Sequence, residues 1–142
     1  MKNKIIIGYT TGVFDLFHVG HINILKNSKS LCDKLIVGIT TDELILSYKN
    51  KLPVIPYNER AEIVRNIKYV DLVVPQENMN KYEAWEKNKF DLLFVGDDWF
   101  KSDKWHEYER QLSKENVKII YFTYTKSTSS TKINNILDDY RN

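Results

Sequence analysis

The sequence predicts one α/β domain, with a parallel sheet of about five strands flanked by helices. Three observations predict it. Short β-branched runs alternate, about five times over, with segments whose apolar residues recur three and four apart. Strand-then-helix repetition of this kind builds a parallel sheet covered on both faces. The 142 residues match one domain and can bury a core without staples. A content of 42% hydrophobic and 28% charged residues excludes disordered and fibrous classes. The domain is taken as residues 1–142.

The elements follow in order. Lys4 to Tyr9 (KIIIGY) is a buried-strand pattern. From Gly20, the positions Ile24, Leu25, Ser28 and Leu31 recur at helical spacing. Leu35 to Ile39 (LIVGI) is a second strand. Asp42 to Asn58 stays unassigned, because Lys49, Lys51, Pro53 and Pro56 put at least part of it in a loop. Ile63 and Ile67 mark a helix over Arg60 to Lys68, and Leu72 to Val74 a short strand ended by Pro75. Tyr82 to Asn88 is a short helix, and Leu92 to Val95 a strand ended by Gly-Asp-Asp-Trp. Trp105, Tyr108 and Leu112 share a helical face, and Val117 to Phe122 is the last strand. Ile133, Ile136, Leu137 and Tyr140 form a final stripe that Ser129 or Ser130 is placed to cap.

Charge and cysteine content narrow the function. Twenty-one basic against 19 acidic residues argue against a dedicated nucleic-acid or membrane-surface role. A single cysteine, Cys32, excludes an internal disulfide and a cysteine-based zinc site. The apolar run at the N-terminus is too short for a secretory signal or a membrane span. The expectation is a soluble cytoplasmic protein.

In open α/β sheets, ligands bind at the carboxyl ends of strands. The unusual motifs here all follow strands. Residues 8–21 read GYTTGVFDLFHVGH, with His18 and His21 at the start of a helix. Backbone N–H groups there attract anions, and Gly20 allows a ligand close to the backbone. Two imidazoles three apart share one helical face, so both can donate to one phosphate. Two other readings remain open. The histidines could be satisfied by local carbonyls, or could bind a metal with Asp15 as a third ligand.

The string GVFDLFHVGH, with a strand before and a helix after, resembles the H-x-G-H signature of the nucleotidyltransferase superfamily. Its longer form is similar to the cytidylyltransferase branch. Thr41-Asp42-Glu43, Asn58-Glu59-Arg60, Lys68-Tyr69-Val70-Asp71 and Gly96-Asp97-Asp98-Trp99 extend the match to about Ile5–Leu137. The last of these has the form of the glycerol-3-phosphate enzymes, and speaks against an adenylyltransferase. The resemblance implies a Rossmann-like nucleotidyltransferase domain working on CTP and a small phosphorylated acceptor, with Mg²⁺ accompanying the CTP. It implies a homodimer.

The resemblance also implies site residues. His18 and His21 would contact the CTP phosphates, beside Gly12, Val13, Phe14, Asp15 and Gly20. Lys49 would face the acceptor phosphate, and Lys51 the CTP phosphates. Arg60 would be a phosphate ligand, and Lys81 a substrate-phosphate lysine. Asp97 would read the base and Trp99 would wall the acceptor pocket; Trp105 fits either a wall or the core. Thr125, Ser129, Ser130 and Thr131 would hold the triphosphate from the last helix. The branch normally carries R-T-E-G-I-S-T there. Here Tyr124, Lys126 and Ser127 replace its arginine, glutamate and glycine. With Val13 where the glycerol-3-phosphate enzymes carry threonine, this leaves the acceptor open among glycerol 3-phosphate, phosphocholine, phosphoethanolamine and phosphorylated sugars or amino acids. A catalytically silent nucleotide-binding module is the reading from a different class.

Overall fold

The computed structural model describes residues 4–96, 103–123 and 130–141, with only the backbone for 130–132, 134, 140 and 141. The elements are β1 (Ile7–Gly12), α1 (Val19–Lys29), β2 (Lys34–Thr40), α2 (Asp42–Lys49), α3 (Tyr57–Arg65) and β3 (Leu72–Gln76). They continue as α4 (Lys81–Asn88), β4 (Leu92–Gly96), α5 (Asp103–Ser113), β5 (Lys118–Phe122) and α6 (Ser130–Arg141). The five strands form one sheet in the order β3-β2-β1-β4-β5. Every pairing is parallel. The chain order reverses direction between β1 and β4, where such folds open a crevice.

The alternation along β2 shows why both faces are covered. Leu35, Val37 and Ile39 enter one core cluster with Phe14, Leu25, Ala61, Val64 and Phe94. Ile36 enters the other, with Tyr9, Phe90, Leu93, Trp105, Leu112 and Val117. Successive side chains of a strand point to opposite faces, so a continuous apolar run requires two cores.

Three aspartates fasten the amino edge of the sheet. Asp33, Asp71 and Asp91 each stand one or more residues before a strand. Each donates its own backbone N–H to a residue at or just before the start of a neighbouring strand, and accepts that same residue's N–H on its carboxylate. Asp33 does this with Ile6 at 2.8 and 2.7 Å. Asp71 does it with Leu35 at 3.0 and 2.7 Å. Asp91 does it with Ile7 at 2.7 and 2.9 Å. Charge-assisted bonds here satisfy strand N–H groups that begin the ladder.

Five expectations on elements change. β1 starts at Ile7, because Ile5 is 65% exposed and outside the core. α1 ends at Lys29, leaving Leu31 beyond it and exposed. The segment without an assignment contains α2, capped by Thr41 Oγ1, which accepts from Leu44 N. α3 begins at Tyr57, directly after Pro56. Pro75 does not end β3 but pairs in register with Ile39. β3 is an edge strand, so the missing N–H costs no ladder bond on its open side. The expected cap of α6 by Ser129 or Ser130 lies outside the described side chains.

Asp91→Ala removes the acceptor for Ile7 N and is expected to lower the unfolding free energy by about 1–3 kcal/mol. Asp91→Asn keeps an oxygen acceptor and costs less. Urea denaturation at constant m checks both.

Candidate active site

The segment joining β1 to α1 is under backbone strain. Phe14 (φ 54°) and Leu16 (φ 51°) both lie in the left-handed region without being glycine. Each such residue costs roughly 1–2 kcal/mol. Three anchors hold the segment there. The Phe14 ring is buried in the core and packs on Gly12, where a Cβ would stand 2.8 Å from it. The Asp15 carboxylate accepts from Val54 N at 2.8 Å and Ile55 N at 2.9 Å. Val13 O accepts from Arg60 Nη1 at 2.7 Å.

The two histidines cap their own helix. His18 Nδ1 accepts from Gly20 N at 3.0 Å, and His21 Nδ1 accepts from His18 N at 3.2 Å. This is the reciprocal arrangement of a capping box, built from imidazoles. The rings stack with centroids 3.9 Å apart. A ring nitrogen that accepts a backbone N–H carries no proton, so each neutral ring holds its proton on Nε2. Burial holds His21 down at about 4, helped by the neighbouring His18 and opposed by Asp15. Burial also lowers His18. The site therefore presents two neutral Nε2–H donors at neutral pH.

The Gly20 N–H donates to His18 Nδ1, so this donor is used within the cap. In the metal reading left open above, the Asp15 carboxylate would serve as third ligand while already accepting the Val54 and Ile55 N–H groups. Among the described residues, no three of His, Cys, Asp and Glu cluster at metal-binding distance.

Arg60 is not at the surface of the site. It has 0% exposure, and four of its five N–H donors are bound. Nε donates to Ile55 O, Nη1 to Val13 O and Thr40 O, and Nη2 to Asp42 Oδ1. The expected phosphate contact is corrected accordingly, because the fork holds the loops behind the cleft and does not line it.

A cleft of about 740 Å³ opens along the carboxyl ends of the strands. It collects Gly12, Val13, Phe14, Asp15, His18, Gly20, His21, Lys49, Lys51 and Lys81, as the sequence led one to expect. Lys49 ends α2 and Lys51 follows it, both exposed. Lys51 Nζ stands 3.9 Å from Asp138 of α6. Asp97, Trp99, Thr125 and Ser129 lie outside the described residues, and so do the side chains of Ser130 and Thr131.

Lys81 is the most deeply placed cation in the cleft, at 6% exposure. Its Nζ donates to Thr11 Oγ1 at 3.0 Å and lies 5.9 Å from the Trp105 ring centroid. Burial, then the nearby charge of Lys104, lower it to about 8. Among the described residues no carboxylate pairs with it. A buried ammonium without an acid partner is poised for an anionic ligand. Trp105 serves as both core and wall: it is buried in the second cluster and lines the cleft. Sequence reasoning missed Thr11, Gln76 and Lys104. Thr11 is next to last in β1 and Gln76 ends β3, at the carboxyl edge where ligands gather, and that position was the available signal.

A family model described as cytidylyltransferase-like matches residues 9–136. The glycerol-3-phosphate cytidylyltransferase of Bacillus subtilis is 37% identical over 131 residues, covering 87% of this chain and 91% of that protein. The FAD synthase of Thermococcus kodakarensis is 33% identical, covering 93% of this chain and 89% of its own. The solved structure of a lipopolysaccharide core biosynthesis protein from Thermoplasma volcanium superposes with a TM-score of 0.75. It is 30% identical and covers 87% of this chain and all of that one.

Two titrations follow from the site. Between about 4 and 6.5 the unfolded chain binds a proton on His21 that the folded one does not. Stability therefore falls as pH drops through that window. His21→Gln is expected to flatten that part of the curve of melting temperature against pH. Phosphate binding in the cleft should weaken as pH rises through about 8, where Lys81 loses its charge. Calorimetric titration of phosphate across that range checks it, and Lys81→Met should remove the transition.

Proposed function

The chain belongs to the cytidylyltransferase-like family, and on that premise we propose that it transfers the cytidylyl group of CTP to a small phosphorylated acceptor. Glycerol 3-phosphate is the acceptor the relatives favour. The class is not in question: the chain is a nucleotidyltransferase of one α/β domain.

The proposed step is a direct displacement. An oxygen of the acceptor phosphate forms a bond to the α-phosphorus of CTP. The bond from that phosphorus to the bridging oxygen breaks, and pyrophosphate leaves with the electron pair. No protein nucleophile is needed. The chain must align two anions and stabilise the charge that builds on the α-phosphoryl oxygens. The histidine pair is the observation that carries this reading. Two stacked rings, locked by their Nδ1 atoms, present two fixed Nε2–H donors from one helix turn. Being neutral, they approach the α-phosphate without holding a tight ion pair in the ground state.

The lysines supply the charge. Lys51 is assigned to the CTP phosphates, and Lys49 and Lys81 to the acceptor phosphate. Magnesium is proposed to enter bound to the nucleotide. It prefers phosphate oxygens and water; of the two described acids lining the cleft, Asp15 is committed to backbone N–H groups and Asp138 stands by Lys51. A cytoplasmic setting is carried over from the cysteine content and the short N-terminal apolar run, and the pairing of two copies from the sequence resemblance.

The FAD synthase relatives support a second reading, transfer of an adenylyl group from ATP. Pyrophosphate release separates the two. CTP with glycerol 3-phosphate is expected to turn over, and ATP with flavin mononucleotide is not. Turnover with ATP alone would reject the cytidylyl reading. His21→Ala should lower the rate by about 10²–10³, the usual loss for one donor to a developing oxyanion, with an unchanged far-ultraviolet spectrum.

A further inference from the structure

One cation of the cleft has no task in the transfer as described. Lys104 is the second residue of α5 and lines the cleft with Trp105 and Tyr108. It is exposed. Among the described residues it forms no ion pair. Its charge nonetheless reaches Lys81, since it helps to lower that group.

The two lysines are held together by the fold. The Tyr108 hydroxyl donates to Met79 O at 3.1 Å, tying α5 to the segment that enters α4. Trp105 lies against the Lys81 ammonium from the α5 side. Among the described residues, the other charged groups facing this space are Lys49, Lys51, Asp15 and Asp138. Asp15 is spent on Val54 and Ile55, and Asp138 stands by Lys51. Two like charges thus share one wall with no described acid between them, an arrangement that costs free energy until an anion arrives. A phosphate monoester is largely dianionic near neutral pH, its second ionisation lying near 6. It can accept from two ammonium groups at once, and its negative charge matches the pair.

We propose that Lys104 is a second binding residue for the acceptor's phosphate, so that this dianion bridges α4 and α5 between Lys81 and Lys104. The inference rests on the transfer reaction above and adds to it a specificity-determining residue. An acceptor must carry a dianionic phosphate to use both lysines, and its remaining part is sorted by the Trp105 and Tyr108 face. A phosphodiester, with one charge, uses only one of them.

The test is calorimetric titration of inorganic phosphate and of glycerol 3-phosphate, at fixed ionic strength and without nucleotide. The proteins are the wild type, Lys104→Gln, Lys104→Arg and Lys87→Gln, the last a lysine of the outer face of α4 paired with Glu83. Lys104→Gln is expected to weaken both anions roughly tenfold, the usual scale for one charge-assisted hydrogen bond. Lys104→Arg should bind within about threefold of wild type, because the charge is kept. Lys87→Gln should match the wild type. In steady state, Lys104→Gln should raise the acceptor KM and leave the CTP KM unchanged. Equal phosphate affinity in Lys104→Gln and wild type overturns the inference, as does an equal rise in both KM values. Failure of the wild type to bind either anion also overturns it. Anion binding that depends on Lys104 in a protein with no turnover would reject the transfer reading and leave this one standing.

Discussion

The Arg60 guanidinium is the interaction on which the site depends. It is a full charge with no contact with water, a costly thing to bury unless its donors are matched. Four of the five are matched, by groups from the first loop, the end of β2, the start of α2 and the segment before α3. Nη1 takes Val13 O of the first loop and Thr40 O at the end of β2, Nε takes Ile55 O, and Nη2 takes Asp42 at the start of α2. Each of those segments borders the cleft. The left-handed Phe14 and Leu16 between β1 and α1 persist because this fork and the Asp15 carboxylate fix the loop on both sides. Asp42 completes the device with its second oxygen, which accepts from Tyr57 N.

Electrostatic work in the cleft is divided by depth and charge. The histidines are kept neutral by burial and their positions are set by backbone bonds. They are directional donors with no net charge. The lysines stand farther along the walls, and three of the four, Lys49, Lys51 and Lys104, are exposed. Charge on long side chains is suited to drawing anions in, and fixed neutral dipoles to aligning them. Only Lys81 combines burial with charge, and it does so against Thr11 and Trp105 rather than an acid.

Most of the fold was legible in the sequence because its signals are local. The apolar runs at Leu35–Ile39 and Leu92–Val95 are too short for helices and too continuous for a half-exposed sheet. The place of the histidine pair in the cleft was legible from its position after β1. What could not be read is what depends on distant partners. Arg60 looks like a surface helix residue, and only its three-dimensional neighbours show it as an internal brace. The mutual capping by His18 and His21 needs ring orientations that a spacing of three does not specify. α2 was hidden by Pro53 and Pro56, although Thr41, Asp42 and Glu43 give it a good start. Lys104 was passed over because a charged residue on an amphipathic helix ordinarily faces solvent.

The three aspartates at the amino edge of the sheet bear on how such a protein can diverge. They bolt β1 to β2 and β4, and β2 to β3, at the end of the sheet remote from the cleft. Structural integrity and chemistry are thus encoded at opposite ends of the same strands. The loops that follow β3, β4 and β5 can drift in sequence under selection for a different acceptor while the bolted end keeps the strands in register. A lineage built this way explores new substrates by changing one rim, and its tolerance for such change is set by residues that never meet a substrate.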